Sequence, residues 1–246
     1  MATKVKNEQK EQEEKEVKKE KIKYVAPSTE PADRSEVADY VQELLGIGAD
    51  FIHCDVMDGI AVPKQTYNEK MITLLRRKFP NAKLDVHLMT AGGSATVKRY
   101  IKAKPFAITV QYEFFQSEKD LVNALKAISK AGIKCGISLS PNVPFSYITP
   151  YLKYIDLILV MGVKPGAGGQ KLIPQTLSKV KEAKHLKDIL KQSLLISFDG
   201  GVTLQNACDI YEAGADIVVS GSSIYNSFDR EYAITALKGD GAPLVY

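Results

Sequence analysis

Only three histidines occur in the 246 residues, and two of them stand two positions from an aspartate. One segment reads Phe51-Ile52-His53-Cys54-Asp55-Val56-Met57-Asp58-Gly59, the other Lys83-Leu84-Asp85-Val86-His87-Leu88-Met89. Both read as strands, and side chains alternate faces along a strand. His53, Asp55 and Met57 therefore share one face of the first, and Asp85, His87 and Met89 share one face of the second. The apolar set Ile52, Cys54 and Val56 takes the other face. An imidazole and a carboxylate turned inward cost free energy unless they are paired or bound to a metal. Alone, His53 and Asp55 read equally well as a structural hydrogen bond, and His87 as a satisfied core histidine. Together they read as a metal site. The third histidine, His185, falls in a charged helical pattern and reads as solvated.

A fourth candidate ligand closes the apolar run Leu194-Leu195-Ile196-Ser197-Phe198-Asp199-Gly200-Gly201. Asp-Gly is also a strong turn signal, so Asp199 alone reads as a turn residue. With His53, Asp55 and His87 it completes two imidazoles and two carboxylates. That set suits Zn²⁺, Fe²⁺ or Mn²⁺, and the ligand types do not choose among them.

Three glycine-bearing turns follow late strand patterns: Gly162-Val163-Lys164-Pro165-Gly166-Ala167-Gly168-Gly169-Gln170, Gly200-Gly201, and Gly221-Ser222-Ser223. Glycine lets backbone N–H groups come close to an anion, and such turns are common phosphate cradles. Lys164 reads either as added positive charge or as part of a flexible loop.

The elements that must position these residues alternate regularly. Strand patterns fall at residues 23–26, 51–56, 83–88, 106–110, 134–139, 157–160, 194–198 and 217–220. Helical patterns fall at 35–45, 68–79, 94–102, 118–131, 147–152, 174–190, 204–213 and 230–237. Eight strand–helix units in a chain of this length predict a (β/α)₈ TIM barrel, of class α/β, over residues 23–246. The chemistry then sits at the carboxyl ends of the strands. A doubly wound open sheet would place a Gly-x-Gly-x-x-Gly turn after its first strand, where this chain has Ala26-Pro27-Ser28.

Composition bounds the function. The net charge is +4, and residues 1–23 hold eight Lys and six Glu. The remainder is close to neutral, so no nucleic-acid footprint is expected. Residues 1–22 lack core-forming side chains and read as a charged tail, solvated or partly helical. No apolar run is long enough to span a membrane. The opening Met1-Ala2-Thr3-Lys4 leads into Lys and Glu, unlike a secretory signal. Three widely spaced cysteines, Cys54, Cys135 and Cys208, suggest reduced thiols and a cytoplasmic location.

From Ala26 to Ser222 the chain resembles the ribulose-phosphate 3-epimerases. The matching blocks are His53 to Gly59, Asp85 to Met89, Ser138-Leu139-Ser140-Pro141, Met161 to Gln170, and Asp199-Gly200-Gly201-Val202. The resemblance implies that His53, Asp55, His87 and Asp199 hold one divalent metal, Zn²⁺ or Fe²⁺ ahead of Mn²⁺ or Co²⁺. It implies that Asp55 and Asp199 exchange the proton at C3 of a ketose phosphate. Ser28 matches a serine beside the substrate, and Met57, Met89 and Met161 match methionines beneath the reacting carbons. Gly168, Gly169, Gly200, Gly201, Gly221 and Ser222 fall on phosphate-contacting positions. The implied reaction interconverts D-ribulose 5-phosphate and D-xylulose 5-phosphate in the pentose phosphate pathway. Barrels of this kind often form homo-oligomers.

The chain departs from the family pattern at Ile60-Ala61-Val62-Pro63-Lys64, at Gln111 where a His is usual, at Gly162, and at Ala167 where a Phe is common. These changes read as substrate-rim changes, away from the metal ligands. Those at Ile60 and Ala167 leave open a six-carbon substrate such as allulose 6-phosphate. Barrel decarboxylases and aldolases carry Asp-x-Lys-x-x-Asp on the third strand, where this chain has His87 and Thr90. A sugar-phosphate-binding barrel without catalysis fits poorly with all four ligand types present.

Overall fold

A computed structural model describes residues 23–191 and 193–239. The expected charged tail, residues 1–22, lies outside the described residues. Eight parallel strands form one sheet: β1 Tyr24–Pro27, β2 Ile52–Met57, β3 Leu84–Met89, β4 Ala107–Gln111, β5 Lys134–Leu139, β6 Leu157–Met161, β7 Leu195–Asp199 and β8 Ile217–Ser220. Their spatial order is β1-β8-β7-β6-β5-β4-β3-β2. The seam between β1 and β2 is drawn together by a parallel bridge from Ser28 to His53. The Thr29 N–H donates to the His53 carbonyl at 3.0 Å, and the Val25 N–H to Asp50 Oδ2 at 3.0 Å. The result is the expected (β/α)₈ barrel.

The α-helices are α1 Val37–Gly46, α2 Glu69–Lys78, α3 Gly93–Ile101, α4 Glu118–Lys130, α5 Leu177–Leu190, α6 Ala207–Ala213, α7 Ser222–Tyr225 and α8 Arg230–Lys238. Local chemistry sets several starts: the Asn68, Ser117 and Asp229 side chains accept from Lys70, Asp120 and Tyr232 N–H groups. Outward side chains of the strands, among them Ile52, Val56, Val86, Ile137, Val160 and Phe198, pack with inward faces of the helices into one core. Inside the barrel, Phe51, Leu157, Leu159, Ile217 and Val219 form a separate apolar plug. The plug closes the amino-terminal end, and polar inward residues occupy the other.

One expectation is corrected, and one short helix was not expected. The helix expected at 147–152 is instead a pair of 3₁₀ turns, Phe145–Tyr147 and Thr149–Tyr154. Pro144 and Pro150 explain this: a proline lacks the N–H an α-helix needs and restricts the residue before it. The strand–helix unit is therefore not α-helical at all eight positions. The helix not expected is α7, which no periodic pattern announced in so short a segment.

The irregular β5–β6 connection is held from outside by Lys179 of α5. Its Nζ donates to the carbonyls of Ser140 (2.7 Å), Pro141 (2.7 Å) and Val143 (2.6 Å). Burial pulls the Lys179 ammonium below its usual range. Lys179→Met keeps the packing but leaves three carbonyls without their donor. It is expected to cost about 2–3 kcal/mol in denaturant unfolding. An unchanged midpoint would show that water replaces the ammonium.

Candidate metal centre and active cavity

Strand register assembles the site. β2 and β3 pair so that His53 stands opposite Asp85, Asp55 opposite His87, and Met57 opposite Met89. Each inward imidazole thus meets a carboxylate on the neighbouring strand. Asp199 reaches the same centre from the end of β7, in register with Met161 of β6. One ligand atom from each of His53, Asp55, His87 and Asp199 lies within 4.8 Å of the others. The structure therefore brings together all four residues singled out as ligands. His185 is exposed on α5, as expected.

Hydrogen bonds fix the donor atoms. His53 Nδ1 lies 2.8 Å from Asp85 Oδ2, and a carboxylate accepts, so Nδ1 carries the hydrogen. Nε2 then points at the centre, 3.3 Å from Asp55 Oδ1 and 3.9 Å from Asp199 Oδ2. Among the described residues this fully buried nitrogen has no hydrogen-bond partner. His87 Nδ1 lies 3.3 Å from Asp55 Oδ1. The other Asp55 oxygen accepts from the Ser28 hydroxyl at 2.7 Å. A buried imidazole nitrogen without a partner, ringed by carboxylates, fits a divalent cation with ligand bonds of about 2 Å.

The electrostatics separate the two acids. Burial alone would raise both. At Asp55 the adjacent His53 and His87 outweigh burial and hold its carboxyl well below the usual range. At Asp199 burial and the charge of Asp55 dominate and push it up to about 7. Burial alone would lower His53, but Asp55 and Asp85 outweigh it and hold the imidazole well above its usual value. Protons thus stand in for positive charge at this centre.

A cavity of about 450 Å³ opens over the centre. Asp55 and Asp199 reach into it, while His53 and His87 are fully buried behind its wall. Ser28, Met57, Met89 and Met161 line it. So do Gly168, Gly169, Gly200, Gly201, Gly221 and Ser222, from three separate loops. Gly201 has φ +69°, and a Cβ there would run into the Leu172 backbone, so the turn requires glycine. Lys164 lines the cavity but stays exposed, on a loop tied by the Gln170 amide to the Lys164 and Ala167 carbonyls.

The reading of the family departures as rim changes is corrected. Ala167 lines the cavity, but Ile60 is 80% exposed and does not line it. Lys64 pairs with Glu30, which does line it. Gly162 is buried under the β7 turn, where a Cβ would press on the Phe198 ring. Gln111 is 1% exposed, and its Oε1 lies 2.8 Å from His87 Nε2, so one change does touch a candidate ligand. Sequence reasoning also gave Asp85 a face but no role, although Asp-x-His beside His-x-Asp foretold the register pairing. It gave none to Asp58, whose carboxylate accepts from Ile60 and Ala61 (2.8 Å each) and Ala91 (2.7 Å). Asp58 thereby ties the β2 loop to the β3 loop.

The fold and site define a (β/α)₈ barrel that keeps an acid-lined centre able to hold a metal beside an anion-ready cavity. The model of the Ribulose-phosphate 3 epimerase family matches residues 24–225. Ribulose-phosphate 3-epimerase of Bacillus subtilis is 37% identical over 216 residues, covering 87% of this chain and 98% of the relative. That of Escherichia coli K12 is 34% identical over 216 residues, covering 88% and 95%. The chain belongs to the ribulose-phosphate 3-epimerase family. Among solved structures, a 3-keto-L-gulonate-6-phosphate decarboxylase from Vibrio cholerae gives a TM-score of 0.65 at 13% identity, over 89% of this chain and 97% of that one. A 3-hexulose-6-phosphate synthase from Salmonella typhimurium gives 0.64 at 15%, over 88% and 97%. These two share the fold. No helix among the described residues is long and apolar enough to cross a membrane.

The centre predicts a proton-linked affinity. A cation needs His53 neutral and Asp199 ionised, so binding must expel protons held at neutral pH. Between pH 8 and pH 6 the apparent Zn²⁺ affinity is expected to fall about 100-fold or more, since both groups must give up a proton. Calorimetry in buffers of different ionisation enthalpy should show proton release. A pH-independent affinity would contradict the assignment.

Proposed function

We propose that this chain is a metal-dependent 3-epimerase interconverting D-ribulose 5-phosphate and D-xylulose 5-phosphate, with the barrel from residue 23 onward as its catalytic unit. One observation carries the reading: two carboxylates with opposite proton affinities, the buried Asp55 and the half-buried Asp199, reach into one cavity from different strands. Family membership and the relatives' names support the substrate.

Inverting a carbon next to a carbonyl requires a proton to leave one face and another to arrive on the opposite face. One carboxylate takes the C3 proton, and the C3–H electron pair moves toward the C2 carbonyl, giving an ene-diolate. The second acid then delivers its proton to the other face of C3 as the carbonyl re-forms. The reverse reaction exchanges the two roles. This needs one acid ionised and the other protonated, the condition that the surroundings of Asp55 and Asp199 favour. A divalent cation held by His53, Asp55, His87 and Asp199, with Zn²⁺ or Fe²⁺ preferred over Mn²⁺ or Co²⁺, would supply Lewis-acid stabilisation of the developing negative charge. Ser28 holds Asp55 through its hydroxyl and orients it. Met57, Met89 and Met161 present thioethers that carry no exchangeable proton and exclude water from C3. The turns at Gly168-Gly169, Gly200-Gly201 and Gly221-Ser222 hold the phosphate, so that C3 lies between the two acids.

In heavy water, solvent deuterium is expected at C3 of the product. Asp55→Asn and Asp199→Asn are each expected to lower turnover by about 10³-fold or more with circular dichroism unchanged. Epimerisation without exchange would discard the two-acid route. Full activity in either variant would discard that residue's part in it.

A further inference from the structure

Gln111 stands at the end of β4, buried against His87, where the family pattern has a histidine. The two ends of its amide can be told apart because one neighbour is able only to accept. Glu113 Oε1 lies 2.8 Å from Gln111 Nε2, and a carboxylate demands a donor. The Gln111 amide also donates to Ser140 Oγ at 3.2 Å. The carbonyl end, Oε1, therefore faces the barrel interior. It accepts from the Ser138 hydroxyl at 2.7 Å and lies 2.8 Å from His87 Nε2. Two acceptors do not bond, so Nε2 carries the hydrogen. In a neutral imidazole the lone pair is then left on Nδ1, the atom that faces Asp55 and the centre.

We infer that Gln111 is a positioning residue that fixes the His87 tautomer, so that Nδ1 presents its lone pair to the metal, with Glu113 fixing the amide in turn. The inference rests on the metal-dependent reading above. It also distinguishes the two imidazoles. His53 leans on the carboxylate of Asp85, whereas His87 leans on a neutral amide, which withdraws less of the N–H proton's charge. The group behind each imidazole decides its orientation. Gln111 is not among the residues that line the cavity.

The test uses Zn²⁺-loaded protein with ¹⁵N-labelled histidine, and Zn²⁺ affinity measured against a competing chelator. Long-range ¹H–¹⁵N spectra are expected to show His87 bound through Nδ1 with hydrogen on Nε2. Gln111→Met is close in shape but offers no acceptor, and Zn²⁺ affinity is expected to fall about 10- to 100-fold. Gln111→Glu keeps the acceptor oxygen and, with its outer oxygen protonated so that it still donates to Glu113, is expected to stay within about threefold of the parent. Coordination of His87 through Nε2, or parental affinity in Gln111→Met, would overturn the inference while leaving the metal reading intact. Loss of affinity in Gln111→Glu equal to that in Gln111→Met would also overturn it. If Gln111→Met fails to fold, the spectrum of the parent protein still decides. Failure of the parent protein to take up Zn²⁺ would remove the metal reading, and this inference with it.

Discussion

The site depends on the cost of placing charge inside a barrel. His53, His87, Asp55 and Asp85 are all buried, and an unpaired ion in such a place would cost several kcal/mol. The parallel register of β2 and β3 meets that cost by setting each imidazole beside a carboxylate of the adjacent strand. A slip of one residue would turn the whole set toward the helices and replace it with Ile52, Cys54 and Val56. The register that keeps the apolar face against the helices therefore also assembles the centre. Stability and chemistry are fixed by the same pairing.

The barrel interior is layered to serve that centre. Phe51, Leu157, Leu159, Ile217 and Val219 pack as one apolar cluster inside the barrel, and Val219 also lines the cavity. Above them, inward polar residues are chained rather than scattered. Asp85 holds His53, Ser28 holds Asp55, and Gln111 holds His87 while being held by Ser138, Ser140 and Glu113. Buried networks of this kind are worth their desolvation only when nearly every member is satisfied. Among the described residues three atoms of this set lack a partner, Asp85 Oδ1, Glu113 Oε2 and His53 Nε2, and the last is the one aimed at the centre.

Loops supply the rest of the cavity, and glycine sets where they can run. Gly201 lets the β7 turn pass against Leu172, and Gly162 lets β6 end beneath that turn. Asp58 ties the β2 and β3 loops, and the Glu30–Lys64 pair joins the β1 and β2 loops at the mouth. Lys179 anchors the β5–β6 connection from the helical layer. Catalytic loops on a barrel need such ties, because short contacts with a small substrate tolerate little drift.

Much of this was legible in the residue order. Alternation along a strand has a period of two, so the order alone assigned His53, Asp55 and His87 to inward faces. Repeated strand–helix units gave the barrel, and glycine spacing gave the turns that line the cavity. Local signals failed where the outcome depends on partners distant in sequence or on proline. Pro144 and Pro150 broke the expected fifth helix, and α7 was too short to show a period. Gln111 and Ile60 look alike as departures from a family pattern, yet one is sealed behind a candidate ligand and the other faces solvent. Composition and periodicity determined which side chains turn inward and in what order. Only the closed sheet decided which of them meet, because register and closure bring together candidate ligands 146 positions apart, His53 and Asp199, and a hydrogen bond forms between neighbours in space.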